Sequence, residues 1–378
     1  MIIQKIFKLY KLFFSIEFRF SFPKKNKILL FDEIHADILK ETIKKDFKIL
    51  KFRKKKIYFW IYLKQIIFFD FTFETYCKNY IKFTSPKVII CFNLLRFQMY
   101  QLKKDFKNIY FILICNGNYN DSTYKDLEKI WPKKLECDYL FIFNKYHIPK
   151  YKKLIKCNNF QLFGHYKNNL VKINKTKFSK QFLYLSIMFE TPNSVNFYVN
   201  DYHKKLLSLI NLYLINYNKK LHILLRSSKN SPLYKFEINF YKKIFQSNCV
   251  FHTSNNYKKK YSIIDWFGNI IFTFTSMGYE AISRKKKVVV FAPNTIRYSR
   301  YNYNVKSYFG WPGPDKKKYN FFSTKKLSYN QVKRVLNNVL YCSQSNWNKK
   351  YYSIIKDQCY FDSNNKKLKD LIFKLAKI

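Results

Sequence analysis

Glycine and alanine are scarce in this chain of 378 residues, which holds six of the first and four of the second. So few glycines leave no G-x-G-x-x-G and no G-x-x-x-x-G-K-[ST], and H-E-x-x-H and G-x-S-x-G are missing as well. The familiar dinucleotide, P-loop, zinc-protease and hydrolase readings lose their support. No two aspartates stand as D-x-D, so a metal-chelating motif of that type is absent and no metal is expected. The eight cysteines form no C-x-x-C pair. Several sit in apolar strand-like runs, where a thiol behaves as a small hydrophobe, and a reduced cytosolic setting is expected. Arginine is also rare, eight against 64 lysines, although the formal net charge is +49. A surface evolved to read bases would favour the arginine fork, so no specific nucleic-acid partner is expected. The lysine surplus still favours anionic ligands and anionic membrane surfaces at low salt.

What is present is core material. Forty-eight per cent of the residues are apolar and 21% aromatic, enough for two packed domains by the soft prior of roughly 150 residues each. Residues 1–22 are too charged to span a bilayer. On a helical wheel Gln4, Lys5, Lys8, Lys11, Ser15 and Arg19 share one face, with Glu17 the exception on the other. That pattern predicts a basic amphipathic helix, suited either to a membrane interface or to packing on the protein itself. Beyond Pro23 the chain alternates short apolar runs ("KILLF", "KVIICF", "IYFILIC", "YLFIF") with helical spacings. The stretch 57–71, interrupted by Lys64, Gln65 and Asp70, reads as a buried or membrane-facing helix. A polar stretch follows at 167–180, and the alternation then restarts with "FLYLSI", "LHILL", "CVF", "NIIFTF" and "KVVVFAP". Continuous apolar strands separated by helices imply parallel sheets covered on both faces. The expected architecture is α/β: two doubly wound, Rossmann-like domains facing each other across a cleft. The expected boundaries are 1–22 for the N-terminal segment, 23–166 for the first domain, 167–180 for a linker, 181–345 for the second domain and 346–378 for C-terminal helices.

In such sheets ligands bind beyond the carboxyl ends of strands, so the turns after strands hold the candidates. In "NIIFTFTSMGYEAISRKKKVVVFAPN" one of the few glycines stands between a strand and a helix. Thr275, Ser276 and Gly278, with the unpaired N–H groups of the helix that follows, suit an anion such as a nucleotide phosphate. Glu280, one turn on, is placed for a ribose hydroxyl pair; the plain alternative is an i, i+4 pair with Arg284. Arg226, Ser227, Ser228 and Lys229 follow the strand "LHILL" and suit a diphosphate leaving group. Asn116 and Gly117 end another strand and are read as a cleft wall on the acceptor side, although Asn-Gly is also a common turn pair. Ser186 ends the first strand of the second half and is read as facing the cleft, a further hydroxyl for the nucleotide-sugar. Asp32, Glu33 and His35 follow the first strand, where Asp32 or His35 is placed to take a proton from an acceptor hydroxyl.

Five stretches resemble a known family: "KILLFDE", "VIICFN…NIYFILICNGN", "CDYLFIFNKYHIPKYKKLI…FQLFGHYKNN", "HILLRSS" and "TSMGYEAISRKKKVVVFAP". They are similar to bacterial surface-carbohydrate (lipopolysaccharide and capsule) biosynthesis proteins and to glycosyltransferases of the two-Rossmann GT-B class. The last stretch is the most specific, resembling a Ser-x-x-Gly-Tyr-Glu-Ala motif. The resemblance implies that Ser276, Gly278 and Glu280, with Arg226 beside them, hold the nucleotide of a sugar donor. The expected reaction is metal-independent transfer to a surface polysaccharide or lipid-linked glycan, with no cofactor beyond the donor, by a protein that residues 1–22 attach peripherally to the inner face of the cytoplasmic membrane. A nucleotide-sugar epimerase or polyol-phosphate transferase of the same fold is the second reading. A non-catalytic membrane-associated or nucleic-acid-binding protein is the rival from another class. The chain departs from the motif in two places: Cys115 stands where glutamine is usual, and Ser283-Arg284-Lys285 replaces Ala-Arg-Gly.

Overall fold

The strand Ile-Leu-Leu-Phe at 28–31 is apolar at every position because both of its faces are covered. Its pleat sends Ile28 and Leu30 to one face of a sheet and Leu29 and Phe31 to the other, into two separate cores. A computed structural model of the chain describes residues 17–51, 56–67, 70, 72–94, 96–117, 119, 121–131, 135–187, 201–273, 275–291, 296–298, 303–305 and 319–378.

The first half runs β1 (Glu17–Arg19), β2 (Ile28–Phe31), α1 (Ala36–Ile43), β3 (Lys48–Leu50), β4 (Lys56–Tyr58), α2 (Phe59–Ile67), α3 (Phe73–Thr84), β5 (Val88–Cys91), α4 (Phe97–Leu102), β6 (Tyr110–Ile114), α5 (Asp121–Ile130), β7 (Leu135–Ile142), α6 (Ile148–Leu154), β8 (Ile155–Leu162) and α7 (Tyr166–Asn169). The second half runs β9 (Phe178–Leu185), α8 (Asp201–Asn216), β10 (Leu221–Leu224), α9 (Tyr234–Phe245), β11 (Cys249–His252), α10 (Tyr257–Trp266), β12 (Phe267–Phe272), α11 (Ser276–Ser283), β13 (Lys287–Phe291), β14 (Ile296–Tyr298), β15 (Tyr303–Val305), β16 (Ser323–Thr324), α12 (Tyr329–Tyr341) and, after short helical turns, α13 (Lys366–Ala376).

Each half builds a six-stranded sheet, β3-β2-β5-β6-β7-β8 and β11-β10-β9-β12-β13-β16. Every pairing within both sheets is parallel. Strand order reverses between β2 and β5 in the first sheet and between β9 and β12 in the second. Those are the points where a doubly wound sheet opens a crevice. Two Rossmann-like domains are therefore present.

Two elements run against expectation. Residues 17–22, read as the end of a helix over 1–22, hold no helical turn, and 17–19 form β1, which pairs in parallel with β4 (Phe18↔Ile57). Aromatic packing selects the strand, since Phe18 and Phe20 lie 6.0 Å and 5.1 Å from the Phe59 ring. The rest of that expected helix, 1–16, lies outside the described residues. β9 also begins at Phe178, inside the stretch read as linker, because Phe178 pairs with Phe267 of β12. At the other end, α13 returns to the first sheet. Its Leu368, Ile372 and Ala376 fill the core formed by Ile28, Leu30, Val88, Ile90 and α1. The chain thus crosses between the halves twice, and an isolated bridge joins Gly164 on the first crossing to Phe361 on the second.

Candidate functional site

The fully buried strand β12 delivers the chain to Thr275, the N-cap of α11, whose side chain makes no capping bond. Gly278 has a packing reason for being glycine: a Cβ there would fall 2.2 Å from carbons of the Phe272 ring. The missing side chain lets α11 lie flat on its own strand, which brings its amino end to the crevice. Opposite stands the turn after β6. A Cβ on Gly117 would sit 3.6 Å from the Ser276 hydroxyl oxygen, so the two halves of the molecule meet here. Asn116 next to it is exposed and accepts a hydrogen bond from Tyr119 at 2.5 Å. Cys115, where glutamine is usual in the related motif, is fully buried; its thiol donates to the Gly117 carbonyl at 2.8 Å, and burial raises its pKa. This turn is held from below by sulfur, leaving its outer face to the cleft.

Glu280 does not reach solvent. It is 2% exposed and accepts a short hydrogen bond from the Tyr261 hydroxyl of α10. His165, from the loop after β8 in the first half, places Nδ1 3.1 Å from the Tyr261 oxygen and 3.5 Å from Glu280 Oε1. Burial raises the Glu280 pKa to about 7, against opposing pulls from the Tyr261 hydrogen bond, Arg284 and Lys167. Burial, aided by Lys167, lowers that of His165 to about 3. Near neutrality this is a neutral imidazole, a phenol and a carboxyl whose pKa burial has lifted into the same range.

Arg284 pairs with Asp265 of α10, not with Glu280. Nε donates to Oδ1 at 2.8 Å and Nη2 to Oδ2 at 2.5 Å, with both side chains fully buried. The remaining donors hold the first crossing: Nη1 binds Asn168 Oδ1 at 3.0 Å and the Val171 carbonyl at 3.1 Å, and Nη2 binds the Lys172 carbonyl at 3.0 Å. Lys285, where the related motif has glycine, takes a left-handed φ of 61°. The helix therefore ends with the turn a glycine would make, at a cost of about 1–2 kcal/mol for a residue with a Cβ.

The loop after β10 is organised by Glu237, fully buried on α9. Its carboxylate accepts from the backbone N–H groups of Arg226 and Ser227 at 3.1 Å and 2.9 Å, and from the Ser186 hydroxyl in a short bond. Ser186, a candidate donor to ligand, is thus already engaged, and the Tyr241 hydroxyl donates to it at 3.0 Å. The Arg226 and Lys229 side chains are exposed. Lys260 donates to the Arg226 carbonyl at 2.8 Å, adding a third cation to this rim.

In the first half, Asp32 is 1% exposed, in contact with Arg96 at 3.7 Å, and accepts from the Ile34 N–H at 3.4 Å. Asp32 (φ 81°) and His35 (φ 61°) both adopt left-handed backbone in one turn, local strain of the sort that collects at functional sites. The His35 ring lies 4.9 Å from Tyr166, which in turn lies 4.5 Å from His165. Burial first, then Lys167, lowers the His35 pKa to about 4, so the ring is a neutral proton acceptor.

Sequence reasoning missed His165, Tyr261, Glu237 and Asp265. In a chain with 23 acidic residues against 72 basic ones, an acid inside an apolar helical stretch ("YKFEINF", "YSIIDW") was the available signal. Tyr261, one of 33 tyrosines, carried none. Among the described residues no cluster of three or more His, Cys, Asp or Glu is placed to hold a metal, and no helix is long and apolar enough to cross a membrane.

Two parallel doubly wound sheets, meeting where the turn after β6 faces the start of α11 and tied by a C-terminal helix that crosses back, define the GT-B architecture. Solved structures share it. A UDP-GlcNAc 2-epimerase from Neisseria meningitidis, bound to UDP-GlcNAc, matches with a TM-score of 0.52 and 11% identity over 92% of this chain and 99% of that one. A variant of the wall teichoic acid polymerase TagF matches with a TM-score of 0.52 and 13% identity over 94% and 90%. No curated protein matches the sequence. The family is shown by its own model, described as "putative O-antigen biosynthesis protein", which matches residues 112–376. The chain belongs to that O-antigen biosynthesis family.

Proposed function

We infer that this protein is a glycosyltransferase-like enzyme that moves a sugar from a nucleotide-sugar donor to a surface polysaccharide or lipid-linked glycan. The observation that carries the reading is the approach of Ser276, at the amino end of α11, to Gly117 of the opposite sheet. A donor diphosphate in this crevice meets the α11 N–H groups and Thr275 and Ser276 hydroxyls, with Arg226 and Lys229 on the rim. An acceptor lies against Asn116, Gly117 and the turn of Asp32 and His35. His35 takes the acceptor proton, and the departing nucleotide diphosphate is stabilised by Arg226 and the helix terminus without a metal. Asp32, paired with Arg96, holds the turn that presents His35. Glu280, sealed under α11, positions that helix instead of touching ribose. The structural likeness to an epimerase bound to UDP-GlcNAc supports a nucleotide-sugar ligand and keeps one rival open, an epimerase that needs no acceptor. Membrane attachment at the cytoplasmic face, through basic N-terminal sequence, completes the reading.

The test is a thermal-shift panel of UDP, GDP, CDP, dTDP and CMP. A ligand at a hundred times its Kd stabilises by about 2.7 kcal/mol. One base should stabilise the protein, and Ser276→Val and Arg226→Ala should each weaken that response while leaving the ligand-free melting point in place. A flat response from folded protein rejects the reading. Product analysis with the responding nucleotide-sugar then separates transfer from epimerisation.

A further inference from the structure

Large apolar side chains left in water collect at one corner of the first domain. Phe20 is 66% exposed, Phe22 55%, Trp60 40% and Ile67 63%. They come from two segments of the chain that hold each other. The Trp60 indole N–H donates to the Phe20 carbonyl at 2.5 Å, and the Phe22 ring stacks on Trp60 at 5.7 Å with planes 12° apart. On α2, residues 60, 64 and 67 fall on one stripe by helical spacing, so Trp60, the exposed Lys64 and Ile67 point the same way. Lys24 and Lys25, both exposed, follow Phe22 after one buried proline, Pro23.

Soluble monomers seldom leave clustered aromatics in water unless the cluster meets something. Here the composition selects the partner. Trp and Phe flanked by lysines suit the headgroup boundary of a bilayer, where rings bury in the interface and ammonium groups stay among phosphates. The chain around the patch carries the same sign, at +49 overall, so an anionic surface attracts it from a distance. β4 follows β3, the edge strand of the first sheet, so the patch belongs to the acceptor half.

We propose that Phe20, Phe22, Trp60 and Ile67, framed by Lys24, Lys25 and Lys64, form the face by which this protein docks on an anionic lipid bilayer. The face turns the acceptor domain toward the membrane, where a lipid-linked glycan is presented. The proposal deepens the membrane part of the functional reading and rests on it. Vesicle binding and nucleotide binding are separate measurements, so either can fail without the other.

The experiment is flotation of the full chain with phosphatidylglycerol-containing vesicles and with pure phosphatidylcholine vesicles, at about 0.1 M salt. Binding to the anionic vesicles is expected, and its absence overturns the proposal. Ile67→Ser and Phe22→Ser should each weaken it about tenfold, the worth of one large apolar side chain. Lys24→Gln with Lys25→Gln should weaken it by a similar factor or more and reduce its salt dependence. Ile130→Ser on α5, at 74% exposure an equally wet control, should change nothing. Brominated lipid should quench tryptophan emission in the parent and much less in Trp60→Phe, a variant that keeps the ring packing. Equal quenching in the two, or binding that patch variants leave intact while removal of residues 1–16 abolishes it, overturns the assignment. So does a concentration-dependent dimer that the same substitutions dissolve, for the face would then meet a second copy.

Discussion

Helices α10 and α11 are joined by two buried rungs one turn apart, and the two are built on opposite principles. Tyr261 and Asp265 stand i, i+4 on one helix, and Glu280 and Arg284 stand i, i+4 on the other. The rung nearer the cleft, Tyr261–Glu280, has the Arg284 guanidinium over the Tyr261 ring at 5.5 Å but no bidentate ion pair, and reaches across to His165. The farther rung, Asp265–Arg284, is a bidentate ion pair whose spare donors grip backbone carbonyls of the crossing chain. Where a charge is permanent the protein has surrounded it with fixed partners. Where it has left a carboxyl poorly compensated, the proton is free to come and go. The first arrangement suits a hinge that must not slip, and the second suits a contact that responds.

Breaking the ion-paired rung should have the largest effect. Arg284→Met leaves Asp265 buried without its cation, and removal of one partner of such a pair costs about 3–5 kcal/mol. Denaturant unfolding should show that loss. Asp265→Leu together with Arg284→Met should recover part of it, since the stranded charge is gone. A double variant as unstable as the sum of the singles would show that the pair is not coupled.

The neutral rung should respond to pH instead. The folded pKa of Glu280, about 7, lies above its unfolded value near 4.5. Between those values the folded state holds the extra proton, so this group's contribution to stability falls as pH rises through that window. Glu280→Gln fixes the protonated shape and should be more stable than the parent above pH 7 by up to about 2–3 kcal/mol, with the gap closing below pH 4.5. The histidines carry the opposite slope. His165, lowered to about 3, and His35, lowered to about 4, favour the folded state more as pH rises toward 6.5. They are common to both proteins, so the difference curve isolates Glu280. A Gln variant less stable at pH 8 than at pH 5, relative to the parent, would mean the carboxylate is held as an anion.

Much of this was legible in the sequence at the level of patterns with one interpretation. Unbroken apolar strands such as "KVVVF" can only be covered on both faces, and the polar restart near residue 170 marked the crossing. The strand-to-helix turns singled out Ser276 and Gly117, which the fold brings face to face, because a doubly wound sheet leaves the ends of its strands open. What was not legible depends on three-dimensional choice among equals. Glu280 and Arg284 have the spacing of a helical ion pair, yet each has a better partner on α10, which the one-dimensional pattern cannot rank. Glu237 illustrates the same difficulty: the backbone N–H groups of Arg226 and Ser227 suit an anion, and the chain supplies its own. The end of the N-terminal stripe, at residues 17–19, suited a helix until Phe18 and Phe20 found Phe59, a contact between segments some forty residues apart.

Two glycines sharpen the comparison between framework and site at smaller scale. Gly278 and Gly117 lie on opposite walls of one crevice. An alanine methyl at 278 overlaps the Phe272 ring at 2.2 Å, while at 117 it makes ordinary contact with the Ser276 hydroxyl at 3.6 Å. Gly278→Ala should therefore lower stability by about 1–3 kcal/mol, as overpacking of a filled core does, and should weaken nucleotide binding only as far as α11 shifts. Gly117→Ala should change stability by less than about 0.5 kcal/mol, as substitutions away from packed features do. It adds its methyl where the two walls approach, in the space assigned to the diphosphate. Its thermal shift with the responding nucleotide should fall, while the ligand-free melting point stays put. If both variants leave the nucleotide shift intact, the ligand lies elsewhere along the crevice, nearer Arg226 and the end of β10. If Gly117→Ala alone abolishes the shift without cost to folding, the glycine is kept for the ligand, and the wall opposite α11 is part of the site.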